Sequence, residues 1–243
     1  MFKRENISCN IRVVCFGKTN DIWHKQEFLN EFTLMKENPL DFLSWKDVDI
    51  GFLIADASNN KDVNKLKKTI NVAKETDIRV LIPIVISEKS VTTSTALLTI
   101  NPQNYEDYTE IYKEIYYVIK SIKDIVYLPG FVMLNLQDVQ TVCKDKKNLM
   151  FAIGEGKGEK ASLIAVKNAI NKLTRFHKDA KNIGKDVLLN VIGNETSFSM
   201  YEIQEVSEVV SNWLENKQGT IIWGGTIDNS LNDIVRISIL IGE

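Results

Sequence analysis

The stretch that decides the fold is VLLNVIGNETSFSMYEIQEVSEVV (187–210), followed by GTIIWGGTIDNSLNDIVRISIL (219–240). An apolar run of strand length gives way to a polar turn. Beyond it Ile203, Val206, Val209, Val210 and Trp213 recur at three- and four-residue intervals, the spacing of one helix face. Two further apolar runs close the chain. The reading is a strand at 186–192, a helix at 200–216 and strands at 219–224 and 234–241. The gap between the last two carries Asp228-Asn229, a turn signal, so these two strands are expected to pair antiparallel.

Working back from this core, 148–153 reads as a strand and 159–176 as a helix, with Ala161, Ile164, Ala165, Ala169 and Leu173 on one face. A long helix is expected from about Tyr105 to Tyr127. Its stripe is Tyr108, Ile111, Tyr112, Ile115, Ile119, Ile122 and Val126. Val118 and Ile125 widen it beyond one contact surface, which suggests burial between two domains. Pro129-Gly130 ends this helix.

The first half alternates differently. Residues 11–16, 50–55 and 78–86 are continuous apolar runs, and 96–100 is a possible short fourth. A helix starts near Lys61 with Val63, Leu66, Ile70 and Ala73 on one face. Continuous apolar strands alternating with helices read as a parallel sheet covered on both faces. Pro83 is out of place in a central strand, because proline cannot donate to the ladder. Between Gly17 and Trp45, Pro39 argues against one continuous helix.

Composition narrows the function classes. With 44% hydrophobic residues in 243, the chain can bury one large or two modest cores. Thirty basic against 32 acidic residues give no bulk electrostatic reason to bind nucleic acid. Lys65, Lys67 and Lys68 form a small basic cluster that reads as a solvated helix face. Cys9, Cys15 and Cys143 are odd in number and far apart, so no disulfide framework is expected. Cys15 reads as a buried small hydrophobe. His24 and His177 lack metal-ligand spacing, and no metal site is expected. MFKRENISCNIRVV has no signal-peptide stretch, and no run reaches the ~20 apolar residues of a membrane helix. The expectation is a cytoplasmic protein with no membrane segment.

Three segments resemble the tubulin/FtsZ family, closest to the bacterial FtsZ type: LPGFVMLNLQDVQTVC (128–143), FAIGEGKGEKASLIAVKNAI (151–170) and the 187–240 stretch quoted above. Together they span about Tyr105 to Glu243. The second is similar to the family's strand, Gly-x-Gly turn and helix. The resemblance implies a tubulin/FtsZ-like α/β fold: a reduced parallel α/β N-terminal domain (1–104), a central helix (105–130) and an α+β two-layer C-terminal domain (131–243). The N-terminal domain is expected to be reduced because the segments before Gly51 and between Ile86 and Ala96 are too short for all the family's elements.

The family's nucleotide loop is G-G-G-T-G-[TS]-G after a strand, where glycines let backbone amides approach phosphates. The aligned positions here are Ala57-Ser58-Asn59-Asn60-Lys61-Asp62-Val63, with no glycine from there to Gly130. Side chains would occupy phosphate space, and Asp62 would bring negative charge. The plain reading is a solvated turn with Asn59 or Asn60 capping the next helix. Gly17-Lys18-Thr19-Asn20 invites a P-loop reading, but Arg12 stands where that motif needs its first glycine. It reads as a polar turn that retains a weak anion-binding option. At the family's guanine-recognition positions stand Tyr108 and Tyr112. Tyr108 could stack on a base, whereas Tyr112 cannot replace a carboxylate or amide; both read as filling the domain interface. The catalytic loop N-x-D-x-x-D here becomes Met133, Asn135 and Asp138. Asn135 cannot act as a general base, and Asp138 reads as a cap for a helix beginning near Val139.

The expected function is therefore a non-catalytic assembly or protein-interaction module. GTP binding and hydrolysis would be lost, and the partner would be itself or another FtsZ/tubulin-like protein. The chain stops at Glu243 without the linker and partner-binding peptide the resemblance implies, which argues against ordinary division-ring recruitment. The alternative is a GTP-binding, polymerising GTPase of the bacterial cytoskeleton or cell division, using GTP with magnesium. It would bind through Gly17, Lys18, Thr19, Ser58, Asn59, Asn60 and Tyr108. A third reading is an enzyme of another class built on the remnant pocket.

Overall fold

In order, the chain forms β1 (Ile11–Cys15), α1 (Lys18–Trp23), β2 (Ile50–Asp56), α2 (Asn60–Lys74), β3 (Val80–Ile86), β4 (Leu97–Ile100) and α3 (Tyr108–Tyr127). Then follow β5 (Gly130–Val132), α4 (Leu136–Cys143), β6 (Asn148–Lys157), α5 (Ala161–Phe176), β7 (Asp186–Gly193), α6 (Met200–Trp213), β8 (Ile221–Ile227) and β9 (Ile234–Gly242). This computed structural model describes residues 9–177, 180–181, 186–215 and 219–243. The start of the N-terminal stretch read for a signal peptide, and the last residue of the helix expected to reach 216, lie outside the described residues. Contacts divide the chain into two units. Of the described residues, one holds 9–120 with Cys143–Leu149, the other Ser121–Val142 with Met150–Glu243.

The N-terminal unit is a parallel sheet in the order β1, β2, β3, β4, with Asn148 and Leu149 continuing it beside β4. β2 and β3 are buried at every residue, which explains their unbroken apolar runs. α2 lays Leu66, Ile70 and Ala73 on Leu53, Ala55 and Val85, the stripe read from its periodicity. Pro83 is tolerated because β3 pairs with β4 only from Ile84 onward, so the proline precedes that ladder. Residues 17–45 hold α1 and two 3-10 turns, Glu27–Glu31 and Phe42–Trp45, rather than one helix. The long helix starts at Tyr108, not Tyr105. An Asn101-capped 3-10 turn at Pro102–Asn104 precedes it, and the Asp107 carboxylate accepts from the Glu110 amide at 3.0 Å.

The C-terminal unit has the strand order β6, β9, β7, β8, β5. The expected β8–β9 hairpin does not form. β8 lies parallel to β7, and β9 lies antiparallel on β7's other flank. The cause is the β7–α6–β8 crossover: α6 must bury Ile203, Val206 and Val210 on this sheet, which seats β8 beside β7. The 228–233 link then passes over the end of β7, where the Asp228 amide donates to the Gly193 carbonyl at 2.8 Å. The Gly-x-Gly turn is also corrected: Gly154 and Gly156 lie inside β6. A Cβ on Gly154 would stand 2.1 Å from the Ala165 carbonyl oxygen, so the glycine lets α5 rest on the strand. α6 opens with a capping box between Ser199 and Glu202.

Candidate functional site

Strand order puts the ends of β1, β2 and β3 side by side, and the loops that leave them bring Lys18, Asp56 and Tyr108 together. The Lys18 ammonium lies 2.9 Å from Asp56 Oδ2. The Tyr108 hydroxyl donates to the same oxygen at 3.0 Å, and Lys18 donates to the Tyr108 oxygen at 3.2 Å. Lys18 also lies 5.2 Å from the centroid of the Tyr108 ring. Asp56 Oδ1 accepts from the Ser58 amide at 2.8 Å. Burial alone would raise the Asp56 pKa. Hydrogen bonds from Ser58, Lys18 and Tyr108 outweigh it and hold the carboxyl below its usual range. Partial burial likewise opposes the Lys18 charge, but Asp56 and Tyr108 hold its ammonium above the usual value.

The loop after β2 spends its amides within the chain. Ala57 donates to Ile86 O at 2.9 Å, Asn59 to Asp56 O at 3.3 Å and Asp62 to Asn59 O at 3.1 Å. Lys61 donates to the Asn59 side chain at 3.0 Å, so Asn59 is the cap of α2, one of the two asparagines expected for it. The Asn59 side chain in turn donates to Asp62 Oδ2 at 2.8 Å. That carboxylate is pressed on Gly17, whose φ is +60°; a Cβ there would lie 1.9 Å from Asp62 Oδ2. Gly17-Lys18-Thr19-Asn20 is the start of α1 rather than a simple turn. Thr19 is fully buried, and its hydroxyl lies 2.8 Å from Phe16 O and 3.1 Å from Ile54 O.

The two tyrosines part company, contrary to the reading that paired them. Tyr112 is fully buried within the N-terminal unit and donates to the Thr19 carbonyl at 3.2 Å. Tyr108 is 39% exposed and lines a cleft of about 700 Å³, together with Ser58, Asn60, Val63, Lys67 and Lys89. Of the residues named from sequence, Gly17, Lys18, Thr19, Ser58, Asn59, Asn60 and Tyr108 therefore share one neighbourhood, with Thr19 turned inward. Asp56 was missed. The one available signal was an acid closing an otherwise apolar strand.

Asn135 and Asp138 lie in the C-terminal unit, where their capping roles are reversed from expectation. α4 begins at Leu136, and Asn135 is its cap, accepting from the Gln137 amide at 2.7 Å. Asp138 reaches back to accept from the Asn135 amide at 2.8 Å. The pair forms a reciprocal capping arrangement. Met133 is 50% exposed. Among the described residues no group of three or more His, Cys, Asp or Glu is placed to hold a metal, and no helix is long and apolar enough to cross a membrane. Among the described residues no disulfide joins the cysteines. Cys15, read as buried, is half-buried, and burial pushes the Cys143 thiol up to about 12.

A parallel α/β unit with loops converging at its strand ends, a long following helix and a mixed-sheet α+β unit make a tubulin/FtsZ-like fold. Residues 148–243 match the family model described as "FtsZ family, C-terminal domain". The cell division protein FtsZ of Caulobacter vibrioides is 33% identical over 122 residues, which are 50% of this chain and 23% of that protein. FtsZ 1 of Thermococcus kodakarensis is 30% identical over 123 residues, covering 51% of this chain and 32% of its own length. An FtsZ mutant structure from M. jannaschii superposes with a TM-score of 0.74 at 18% identity, covering 97% of this chain and 91% of that one. CetZ2 from Haloferax volcanii, solved as a GTPgS-bound protofilament, gives 0.58 at 10% identity, covering 96% and 92%. Residues 148–243 are thus similar to the FtsZ C-terminal domain, and the matched part of the chain spans only 23% of the Caulobacter relative's length.

Proposed function

We propose that this chain is a self-associating, non-catalytic tubulin/FtsZ-like protein of the cytoplasm, which neither binds GTP in the family manner nor hydrolyses it. Its partner is another copy or a related FtsZ/tubulin-like chain. The observation that carries this reading is the Lys18–Asp56–Tyr108 cluster, where the protein's own carboxylate takes the cation and the hydroxyl that a phosphate would seek. The loop amides of Ala57, Ser58, Asn59, Lys61 and Asp62 are already donated. The Asp62 carboxylate rests on Gly17, where a polyphosphate would meet like charge. GTP with magnesium does not fit these residues, because the Thr19 hydroxyl that could approach a metal faces backbone carbonyls instead. The capping role of Asn135 and Asp138 accounts for both residues without hydrolysis.

The second reading, a GTP-binding and polymerising GTPase, draws on the cleft of about 700 Å³ beside Tyr108. Ligands of parallel α/β sheets commonly bind at the carboxyl ends of the strands. Nucleotide content of the purified protein, with its mass in solution with and without GTP, separates the two readings. The proposal expects no co-purified nucleotide and the same assembly state in both conditions. Assembly that needs GTP and decays as GTP is consumed would establish the second reading.

A further inference from the structure

α2 concentrates positive charge in a chain whose formal net charge is −2. Its 15 residues hold Lys61, Lys65, Lys67, Lys68 and Lys74 against one acid, Asp62. Lys61, Lys65 and Lys68 follow one another at four and three residues, so they share one face, and all three are exposed. Like charges at these spacings repel and weaken a helix, a strain that an apposed anion relieves. None of the five ammoniums forms an ion pair among the described residues. Lys65 lies 6.0 Å from the centroid of the Phe16 ring, and Lys74 donates to the Ser94 carbonyl at 2.8 Å. Asp62 is turned elsewhere: its carboxylate accepts from the Asn59 side chain and rests on Gly17.

Beside this helix a turn holds Leu40, Phe42 and Leu43 in water, 38%, 48% and 70% exposed. The turn is fixed to α2 through Trp45, which is fully buried in one cluster with Leu66, Ile70 and Ala73. The Trp45 indole N–H donates to the Pro39 carbonyl at 2.9 Å, and the Ser44 hydroxyl to the Asn38 carbonyl at 2.8 Å. Large apolar side chains held rigid in water mark an interaction surface. Glu37, Asp41, Lys46 and Asp47 surround the tip, and Glu75 closes α2. Asp41 is engaged as acceptor of the Leu43 amide at 3.0 Å. Attraction for an anion therefore comes from the lysine stripe, and the tip adds apolar area.

The chemistry of the two features selects the partner. α2 carries no arginine and no aromatic residue, so it lacks the forks and stacking platforms that hold nucleic acid. None of the exposed large hydrophobics belongs to α2, so its stripe reads charge and not the side chains of a polypeptide. A bilayer with anionic headgroups offers negative charge to the stripe and an apolar interior to the tip. We propose that this face lies on an anionic lipid surface, with Lys61, Lys65 and Lys68 over the headgroups and Phe42 and Leu43 in the boundary beneath them. The chain rests on the membrane without spanning it. The lysine cluster read from the sequence as solvated thereby acquires a partner. The proposal goes beyond the function proposed above and is independent of nucleotide.

Co-sedimentation of the full chain with vesicles, in the absence of nucleotide, tests this. Wild type is expected to bind phosphatidylserine-containing vesicles and not pure phosphatidylcholine vesicles. Raising salt from about 0.1 M to about 1 M shortens the screening length from ~10 Å to ~3 Å and should release it. Lys61→Gln/Lys65→Gln/Lys68→Gln should weaken binding about 100-fold, at roughly fivefold per lysine. Leu43→Ser should weaken it several-fold and leave the salt dependence unchanged. The control Lys144→Gln/Lys147→Gln/Lys167→Gln alters net charge equally from exposed positions on other elements and should bind as wild type. Circular dichroism checks that each variant is folded. A wild type that ignores anionic vesicles, or binds both vesicle types alike, overturns the proposal. So does an α2 variant that binds as wild type, or a control that loses as much. Capture by polyglutamate or DNA without vesicle binding would assign the face to another polyanion and overturn the lipid partner. Each of these failures leaves the nucleotide and assembly reading standing, because no step of the test uses GTP.

Discussion

The ammonium of Lys18 and the carboxylate of Asp56 meet at 2.9 Å where α1 begins and β2 ends. Asp56 is 3% exposed, whereas the Lys18 side chain is 43% exposed. The pair is thus asymmetric: the acid is committed to the interior and the base remains half in water. Solvent screens the Lys18 side, so the attraction is worth much less than its distance suggests. Removing the partner still leaves a buried carboxylate dependent on Ser58 and Tyr108 alone.

Lys18→Met is therefore expected to cost about 1–2 kcal/mol, the range for depriving a buried acceptor of one donor. Tyr108→Phe should cost less, and the two losses should not add, because both donors serve one oxygen. Urea denaturation of the two single variants and the double variant measures the coupling. Strict additivity would show that the three groups do not act as a cluster.

The depressed Asp56 pKa sets the sign of the pH dependence. A carboxyl more acidic when folded than when unfolded contributes stability above its unfolded pKa. That contribution disappears as pH falls through the folded value. The stability gap between wild type and Asp56→Asn should be full at pH 7 and shrink below the usual carboxylate range. Denaturation curves from pH 7 down to 3 check this; a gap that grows toward acid would reverse the assignment.

GTP with magnesium at millimolar concentration is expected to leave the melting temperature unchanged. A ligand at about 100 times its dissociation constant would add ~2.7 kcal/mol and be easily seen. A rise with GTP that ATP does not produce would show that the loop binds despite its donated amides.

Phosphate release from GTP should stay at background, and Asn135→Asp alone should not raise it. Asn135→Ala should instead cost about 1 kcal/mol of stability, because it removes the cap of α4. A GTPase rate abolished by Asp138→Ala, with the fold intact, would return Asp138 to catalysis.

Gly17→Ala is expected to destabilise by two routes. A left-handed φ of +60° costs an L-residue about 1–2 kcal/mol. The new methyl group would also collide with the Asp62 carboxylate. Adding Asp62→Asn should not restore wild-type stability, since the backbone penalty and the side-chain volume both remain. Full rescue would place the cause in charge alone.

Local pattern was enough for the elements that bury one regular face. The α2 stripe Val63–Leu66–Ile70–Ala73, the α6 stripe Ile203–Val206–Val210 and the continuous β2 and β3 runs were legible because side-chain spacing follows helix and strand geometry directly. The order of segments from 128 to 243 likewise carried the resemblance to the FtsZ C-terminal domain. The neighbour of a strand is another matter. β8 and β9 are joined by six residues and look like a hairpin, yet β7 lies between them because α6 has to cover the sheet. Gly154-x-Gly156 looks like a turn and is strand, a consequence of α5 approaching its backbone. At the site, the missing glycines were visible in sequence, but what replaces them was not. Asp56 and Tyr108 are 52 residues apart, and only the tertiary fold brings the hydroxyl at the start of α3 to the carboxylate at the end of β2. A hydrogen bond of that kind depends on where two backbones meet, which composition and periodicity do not encode.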